Sequence, residues 1–203
     1  MILSKKPHQH SKRRFYEKFS KKITFLICAI SISCSFTTRI GAVKLGGKLI
    51  NGPRNILYTV NGGANDYTYN INNGPYNWMY TGYDKPIYMS PVSSTSGSTI
   101  DFYTYEDNGT NAIAYTIFYD SNNKQQTYTK DYLWCKVYFN NMYKYDTKIN
   151  HDAVAAHEIG HVLGLDDNND NKYSIMCQTG SRRKVNKPQK IDSEEVVTIY
   201  GRY

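Results

Sequence analysis

The sequence predicts an α+β fold, with one sheet backed by helices, behind a separate N-terminal segment. Runs of β-branched and aromatic residues, separated by Asn, Gly and Ser, are typical of the strands of one sheet. A stretch rich in Ala at residues 153–162 and a stretch at residues 192–200 that begins with Asp and Ser have the composition of helices. Residues 1–42 differ from the rest in charge and hydropathy.

The first 42 residues have the order of a secretory signal peptide. A basic stretch at residues 5–22 precedes the apolar run ITFLICAISISCSF, and Gly41 and Ala42 are small, as a cleavage site requires. The apolar run of 14 residues is short for a membrane span. We therefore expect residues 1–42 to be a signal peptide and the protein to be secreted. An uncleaved N-terminal anchor is the alternative, and a lipoprotein site at Cys34 is disfavoured by Ser31, which stands where an aliphatic residue is expected.

The formal net charge of +8 belongs to this leader. Residues 1–42 contain nine Lys and Arg and one Glu, whereas the remainder contains 16 basic and 16 acidic residues. A neutral domain gives little support for nucleic-acid binding. We expect residues 43–203 to be one domain, a monomer without a nucleic-acid partner, that meets a membrane only if the leader is uncleaved.

The predicted strands lie at residues 55–60 and in the runs PIYMSPV, STIDFYTYE, AIAYTIFYD and DYLWCKVYF. Residues 67–82 predict either a helix broken at Gly74 and Pro75 or an irregular aromatic loop. The chain has 20 tyrosines. We interpret them mainly as half-buried strand surface and not as rings that stack on ligands.

The motif His157-Glu158-x-x-His161 places two imidazoles four residues apart. On a helix, these positions lie on one face about 6 Å apart along the axis, so both rings can bind one zinc ion. Glu158 can then reach a water on the metal and take its proton. The alternative is a surface helix that carries the motif by chance. Asn150 or Asp152 is available as the N-cap of this helix.

A third metal ligand is expected just after the helix. Gly164 predicts a left-handed turn that ends the helix and returns the chain toward the metal, so that Asp167, three residues later, can become the ligand. Asp166 is the nearer rival. His151 lies six residues before His157, on another side of the helix, and is expected to point elsewhere.

The pattern His-Glu-x-x-His-x-x-Gly-x-x-Asp, followed by Ser174-Ile175-Met176 as a Met-turn, resembles the metzincin zinc peptidases. Among them it is most similar to the matrixins, although these have His where this chain has Asp167. The snapalysin-like metzincins use Asp at that position.

This resemblance implies a metzincin-like catalytic domain with a mixed twisted sheet, an active-site helix, a Met-turn and a C-terminal helix. It implies a zinc ion held by His157, His161 and Asp167. Glu158 would be the general base of a zinc metalloendopeptidase, and Met176 would support the floor of the site.

The stretch from Asp107 to Ala114 resembles the loop and edge strand of matrixins. In that family the strand lies antiparallel to the extended substrate. The resemblance implies a protein or peptide substrate bound near Ala112 and Ala114, since an exposed edge can pair with a peptide backbone. An ordinary edge strand is the alternative. Residues 107–109 are also a candidate loop for structural calcium.

The two remaining cysteines and the last helix each give a further prediction. Cys135 and Cys177 are the cysteines outside the leader, and they predict either a disulfide bond or two reduced buried thiols. The stretch IDSEEVVTIYGRY predicts a helix with Asp192 or Ser193 as N-cap, ending at Gly201.

A rival function is a non-catalytic exported peptide-binding module with a structural or absent zinc. Glu158 argues against it, because a structural zinc site does not need a carboxylate beside its first ligand.

Overall fold

The computed structural model describes residues 44–202, so the predicted signal peptide at residues 1–42 lies outside the described residues. The strands are β1 Ile56–Val60, β2 Met89–Pro91, β3 Ile100–Tyr105, β4 Ala114–Tyr119, β5 Gln125–Gln126 and β6 Trp134–Asn140. The α-helices are α1 Thr68–Met79, α2 His151–Val162 and α3 Lys190–Tyr200. Short 3-10 helices lie at Gly62–Tyr67, Asn141–Tyr143 and Thr179–Ser181. Within residues 44–202, no helix has both the length and the hydropathy to cross a bilayer.

The strands form one mixed sheet in the order β2-β1-β3-β6-β4-β5. The first four run parallel, whereas β4 runs antiparallel to β6 and β5 antiparallel to β4. The α+β fold and its mixed sheet are therefore confirmed. All strands except the short β5 coincide with runs predicted from the sequence, although β6 extends one residue further, to Asn140.

The core lies between the sheet and helices α1 and α2. Side chains alternate along the strands, so that Ile100, Phe102, Val137 and Phe139 are all fully buried on one face. They form a single cluster with residues of both helices. Burying a side chain such as Phe102 contributes about 2–3 kcal/mol, which makes this face the main source of stability.

Helix α1 continues through Pro75 without a break, so the predicted interruption is wrong. Pro75 has no backbone N–H to bond the preceding turn, and packing against helix α2 compensates. Gly74 lies so close to that helix that a Cβ at this position would be 2.8 Å from Ile159 Cδ1. The indole Nε1 of Trp78 donates to the carbonyl of Ala156 at 2.7 Å.

Helix α3 begins earlier than its sequence predicts, with Gln189 as N-cap in place of Asp192 or Ser193. Asp192 is instead the third helical residue, and its carboxylate accepts from the backbone N–H of Gln189 at 2.7 Å. The two residues form a reciprocal capping box. Gly201 ends the helix as predicted.

Cys135 and Cys177 are both buried free thiols, so the disulfide alternative is wrong. Cys135 lies within strand β6, opposite Ile100 and Phe118. The Sγ of Cys177 faces the carbonyls of Gln178 and Ser181 in its own loop, at 3.6 and 3.7 Å.

Helix α2 packs directly on the segment that contains Met176. A Cβ at Gly160 would lie 2.1 Å from Met176 Sδ and 3.4 Å from Trp78 Cζ2. Met176 is fully buried, so it has little room to move away. A residue without a side chain is therefore required at this point of the helix.

We predict that Gly160→Ala destabilises the fold, although alanine favours helix more than glycine. The added methyl group overpacks Met176, and such overpacking costs about 1–3 kcal/mol. Urea unfolding should show a lower free energy of unfolding. Gly180→Ala is the matched control, because a Cβ there meets no atom within 4 Å. Equal stability of the two variants would contradict the contact.

Candidate metal centre

Helix α2 carries three of the predicted site residues on a buried scaffold. Asn150 is its N-cap and accepts from the backbone N–H of Ala153 at 2.9 Å. Asp152, the other predicted cap, instead accepts from the amides of Asn70 and Asn73 on helix α1. The helix is thus fixed at its start before it reaches His157.

Gly164 forms the left-handed turn just after helix α2, as the sequence predicts. Its φ of +85° lies in the left-handed region, where a side chain would be strained. The backbone N–H of Leu165 donates back to the carbonyl of Gly160 at 3.0 Å. The turn brings the following residues back beside His161.

Three side chains meet at this turn. Asp167 Oδ1 lies 3.3 Å from His157 Nε2 and 3.7 Å from His161 Nε2. Within residues 44–202, His157, His161 and Asp167 are the group of three His, Cys, Asp or Glu side chains whose ligand atoms lie close enough to share a metal, all within 4.8 Å of one another.

Backbone carbonyls hold both imidazoles in position. His157 Nδ1 lies 3.0 Å from the carbonyl oxygen of Ile175, and His161 Nδ1 lies 2.9 Å from that of Leu165. A carbonyl oxygen can only accept, so each Nδ1 carries a proton that it donates. In the neutral rings, the Nε2 lone pairs then face Asp167, which is the arrangement that metal-binding histidines use.

Burial and neighbouring charges shift the pKa values of His157, His161 and Asp167 in different directions. Burial lowers the pKa of His161, and the neighbouring His157 lowers it further. Burial also opposes protonation of His157, but the hydrogen bond to Asp167 and the charge of Glu158 outweigh it and raise the pKa of His157. Burial disfavours ionisation of Asp167, yet the two imidazoles outweigh it and lower the pKa of its carboxyl. The Asp167 carboxylate therefore stays ionised and favours a cation beside it.

The donor set fits a tetrahedral metal ion. Ligand atoms about 2.0–2.2 Å from a tetrahedral zinc lie about 3.3–3.6 Å apart, close to the 3.3 and 3.7 Å that separate Asp167 Oδ1 from the two imidazole Nε2 atoms. While both imidazoles are neutral, their Nε2 atoms cannot donate, and this buried oxygen then has no hydrogen-bond donor. A buried carboxylate oxygen without a donor is costly unless a cation meets it.

The two alternative ligands, Asp166 and His151, are not part of this group of three, although Asp166 lines the same cleft. Asp166 Oδ1 accepts from the backbone N–H of Asp167 at 2.8 Å, so it shapes the turn. His151 packs edge-on against the ring of Tyr67, with ring centroids 5.4 Å apart.

The sequence model of the matrixin peptidase family matches residues 91–201, which is more than half of the chain. This chain belongs to the matrixin family. Matrixins are zinc-dependent metallopeptidases, so the chain is placed in that class. None of the curated proteins matches it significantly. Among solved structures, a chain of the GM1-bound form of the ECX AB5 holotoxin is 18% identical, covers 80% of this chain and 87% of its own, and superposes with a TM-score of 0.48.

Thr116 is a residue of this matrixin site that the sequence did not predict. It lies on strand β4, and its hydroxyl donates to Glu158 Oε2 at 2.7 Å. Glu158 is only 4% exposed, so this bond fixes the orientation of an otherwise buried carboxylate. Residues 116 and 158 are far apart in sequence, and only the alternation of β4 hints that Thr116 faces inward.

Gln178 is a second residue that the sequence did not predict. Its side-chain Nε2 donates to Asp167 Oδ2 at 2.7 Å. The other oxygen of Asp167 is thereby left facing the imidazoles. Groups that orient a metal ligand in this way typically change metal affinity by about 10–100-fold when removed.

The Met-turn is tied to helix α3 through Asp192. This carboxylate is fully buried and accepts from the hydroxyl of Ser174, and its Oδ2 accepts from the backbone N–H of Ile175 at 3.1 Å. Arg183 Nη1 lies 3.3 Å from the carbonyl oxygen of Ile175 and donates to it. Residue 175 is therefore held on both sides, and its carbonyl in turn orients His157.

A cleft of about 450 Å³ opens over the site. Strand β4 forms one wall, and Leu45 and Tyr128 also line it. Within the described residues, β5 pairs with β4 only at Phe118 and Tyr119. The backbone edge of β4 from Ala114 to Ile117 is therefore open on that side. The carbonyl of Ala112 accepts from the hydroxyl of Tyr105 at 3.0 Å. Substrate binding near Ala112 and Ala114 stays a prediction.

The candidate calcium loop at residues 107–109 is closed by its own hydrogen bond. Asp107 Oδ1 accepts from the backbone N–H of Gly109 at 2.8 Å. Calcium binding at this loop stays a prediction.

We predict that Asp192→Ala destabilises the matrixin fold. The change leaves the backbone N–H groups of Ile175 and Gln189 without their acceptor, and each buried unsatisfied group costs about 1–3 kcal/mol. Glu194→Ala is the control on the same helix, since the Glu194 side chain is 59% exposed and forms an exposed ion pair with Lys190. Urea unfolding should separate the two variants, and equal stability would show that Asp192 does not hold the Met-turn.

Proposed function

We propose that the chain is a secreted endopeptidase whose zinc ion is held by His157, His161 and Asp167. The observation that carries this proposal is that His157 Nε2, His161 Nε2 and Asp167 Oδ1 converge. Glu158 lies next to His157 on helix α2. Zinc bound there supplies a Lewis acid that polarises the peptide carbonyl and lowers the pKa of water.

Glu158 acts as general base and then as proton donor. It takes a proton from the attacking water and returns it to the amine that leaves. The hydroxyl of Thr116, 2.7 Å from Glu158 Oε2, keeps that carboxylate oriented during both transfers. A rigid, buried base suits proton transfer, because little reorganisation is needed in the transition state.

The open edge of β4 supports an extended protein or peptide substrate. Backbone N–H and C=O groups from Ala114 to Ile117 can pair with a peptide strand across the cleft. Such pairing gives affinity without requiring a particular sequence. A peptide paired along this edge would cross the cleft that His157, Glu158 and His161 line.

Asp167 makes this site less cationic than a site with three imidazoles. A carboxylate ligand partly offsets the charge of zinc, so the bound water is acidified somewhat less. We infer that the enzyme is active, with a weaker electrophile than an all-histidine matrixin site.

Site variants test the proposal through two measurements, zinc content and casein digestion with and without a chelator. Glu158→Ala should keep zinc while activity falls by a factor of about 10² or more, because the base is lost and the ligands remain. Asp167→Ala should lose both zinc and activity. Asp167→His should keep zinc and part of the activity.

Asp166→Ala is the matched control, since its side chain bonds the turn and not the imidazoles. If Asp166→Ala lost zinc while Asp167→Ala bound it normally, the assigned third ligand would be wrong by one residue. Zinc binding without any hydrolysis by the unaltered protein would favour the non-catalytic peptide-binding module.

We also propose export, with residues 1–42 removed and the remainder acting as an extracellular monomer that binds no nucleic acid. Within residues 1–42, a basic stretch precedes an apolar run, and this order supports export. N-terminal sequencing of the secreted protein should begin near residue 43. An active, membrane-attached protein with an intact leader would instead establish an anchor.

A further inference from the structure

The face of the sheet opposite the helices carries an unusual number of aromatic rings. Strands β3, β4 and β6 alternate, so that the residues between the core positions point outward together. Their rings are half-buried or exposed and contact one another across the strands: Tyr103 with Tyr138, Tyr115 with Tyr138, and Tyr119 with Trp134.

A cavity of about 630 Å³ lies at one end of this face. Tyr103, Tyr119 and Trp134 form its aromatic part, and Asp101, Lys136 and Asn123 are among its polar groups. None of its lining residues also lines the cleft over the metal site. Its occupant would therefore leave the metal site free.

The aromatic part of the cavity is rigid. Trp134 and Tyr119 stack with ring centroids 4.2 Å apart and planes 13° from parallel. Asn123 Oδ1 accepts from the indole Nε1 of Trp134 at 3.1 Å, which fixes the indole. Asn123 itself has a φ of +57°, in the left-handed region that few side chains other than Asn tolerate.

The polar groups are also held in place. Lys136 Nζ lies 5.3 Å from the ring centroid of Tyr103, 5.5 Å from that of Tyr119 and 5.6 Å from that of Trp134. Asp101 is 4% exposed, and its Oδ1 accepts from the hydroxyls of Thr59 and Ser98. A fixed donor and a fixed acceptor thus lie beside the rings, on neighbouring strands where residue 101 pairs with residue 136.

This combination selects among ligand classes. A cation is disfavoured, because the ammonium of Lys136 lies 5.3, 5.5 and 5.6 Å from the three ring centroids and would repel it. An anion is disfavoured by the Asp101 carboxylate beside that ammonium. A neutral saccharide fits both features, since its C–H face can lie against aromatic rings and its hydroxyl groups can both donate and accept hydrogen bonds.

We propose that this outer-face cavity binds a neutral saccharide unit, independently of the metal site. The Lys136 ammonium donates to a sugar hydroxyl, the Asp101 carboxylate accepts from another, and the rings cover the apolar face of the sugar. On an exported peptidase, such a site would hold the enzyme on a glycosylated protein while the separate cleft over the metal site cleaves peptide.

Tryptophan fluorescence offers a direct test. The chain has two tryptophans, and Trp78 is fully buried, so a ligand in the cavity changes the emission of Trp134. The secreted protein is titrated with lactose, maltotriose and tri-N-acetylchitotriose, each at millimolar concentration. At least one should change the emission and saturate, with a Kd on the order of 1 mM or lower.

Two variants locate the effect. Lys136→Met removes the donor but keeps the aliphatic stem, and Asn123→Gly frees the indole while glycine takes the positive φ without strain. Each should weaken binding by about tenfold, as expected for loss of one hydrogen bond near a charge or of a fixed ring. Because the two changes are in different elements, one remains informative if the other fails to fold.

Tyr69→Ala is the control, since Tyr69 is 73% exposed on helix α1, away from the cavity. It should bind saccharide normally, and all three variants should cleave a sugar-free peptide as the unaltered protein does. The proposal is overturned if none of the saccharides changes the emission, if inorganic phosphate binds in their place, or if Lys136→Met and Asn123→Gly bind like the control.

Discussion

The hydrogen bond between His157 Nδ1 and the carbonyl of Ile175, 3.0 Å long, joins the two halves of the site. One partner belongs to helix α2 and the other to the Met-turn, 18 residues later. Ile175 is itself held by the Asp192 carboxylate at the start of helix α3 and by Arg183. The orientation of one imidazole therefore depends on where the last helix begins, which couples the metal centre to the packing of the whole C-terminal part.

Much of the fold could be predicted because the signals are local. Alternating strand patterns and the glycine after helix α2 act over a few residues, and both agree with the structure. The failures involve contacts that are distant in sequence. Helix α1 passes through Pro75 because Gly74 and Trp78 lock it onto helix α2. Gln189 is the N-cap of helix α3 because Asp192 is bound to the Met-turn and cannot serve as an ordinary N-cap.

The residues of the site likewise divide into those that local sequence spacing predicts and those that depend on distant contacts. The spacing of His157, Glu158 and His161 follows from helix periodicity alone, and the turn at Gly164 explains why Asp167 lies beside them. Thr116 and Gln178 have no such signal. They orient Glu158 and Asp167 from a strand and a loop that reach the site only after the sheet has packed on the helix. Metal ligands can be read from sequence spacing, whereas the groups that orient them depend on tertiary structure.

Asp167 changes the energetics of the site as well as its chemistry. Asp167 and Glu158 both line the cleft, and both are at least partly shielded from water, where a carboxylate charge is costly unless a cation meets it. Each accepts from a neutral side chain: Glu158 from Thr116 and Asp167 from Gln178. Neutral donors cannot cancel charge. A bound dication does so for both carboxylates at once, so under the proposed function metal binding and folding reinforce each other more in this matrixin than in a site with three neutral imidazoles.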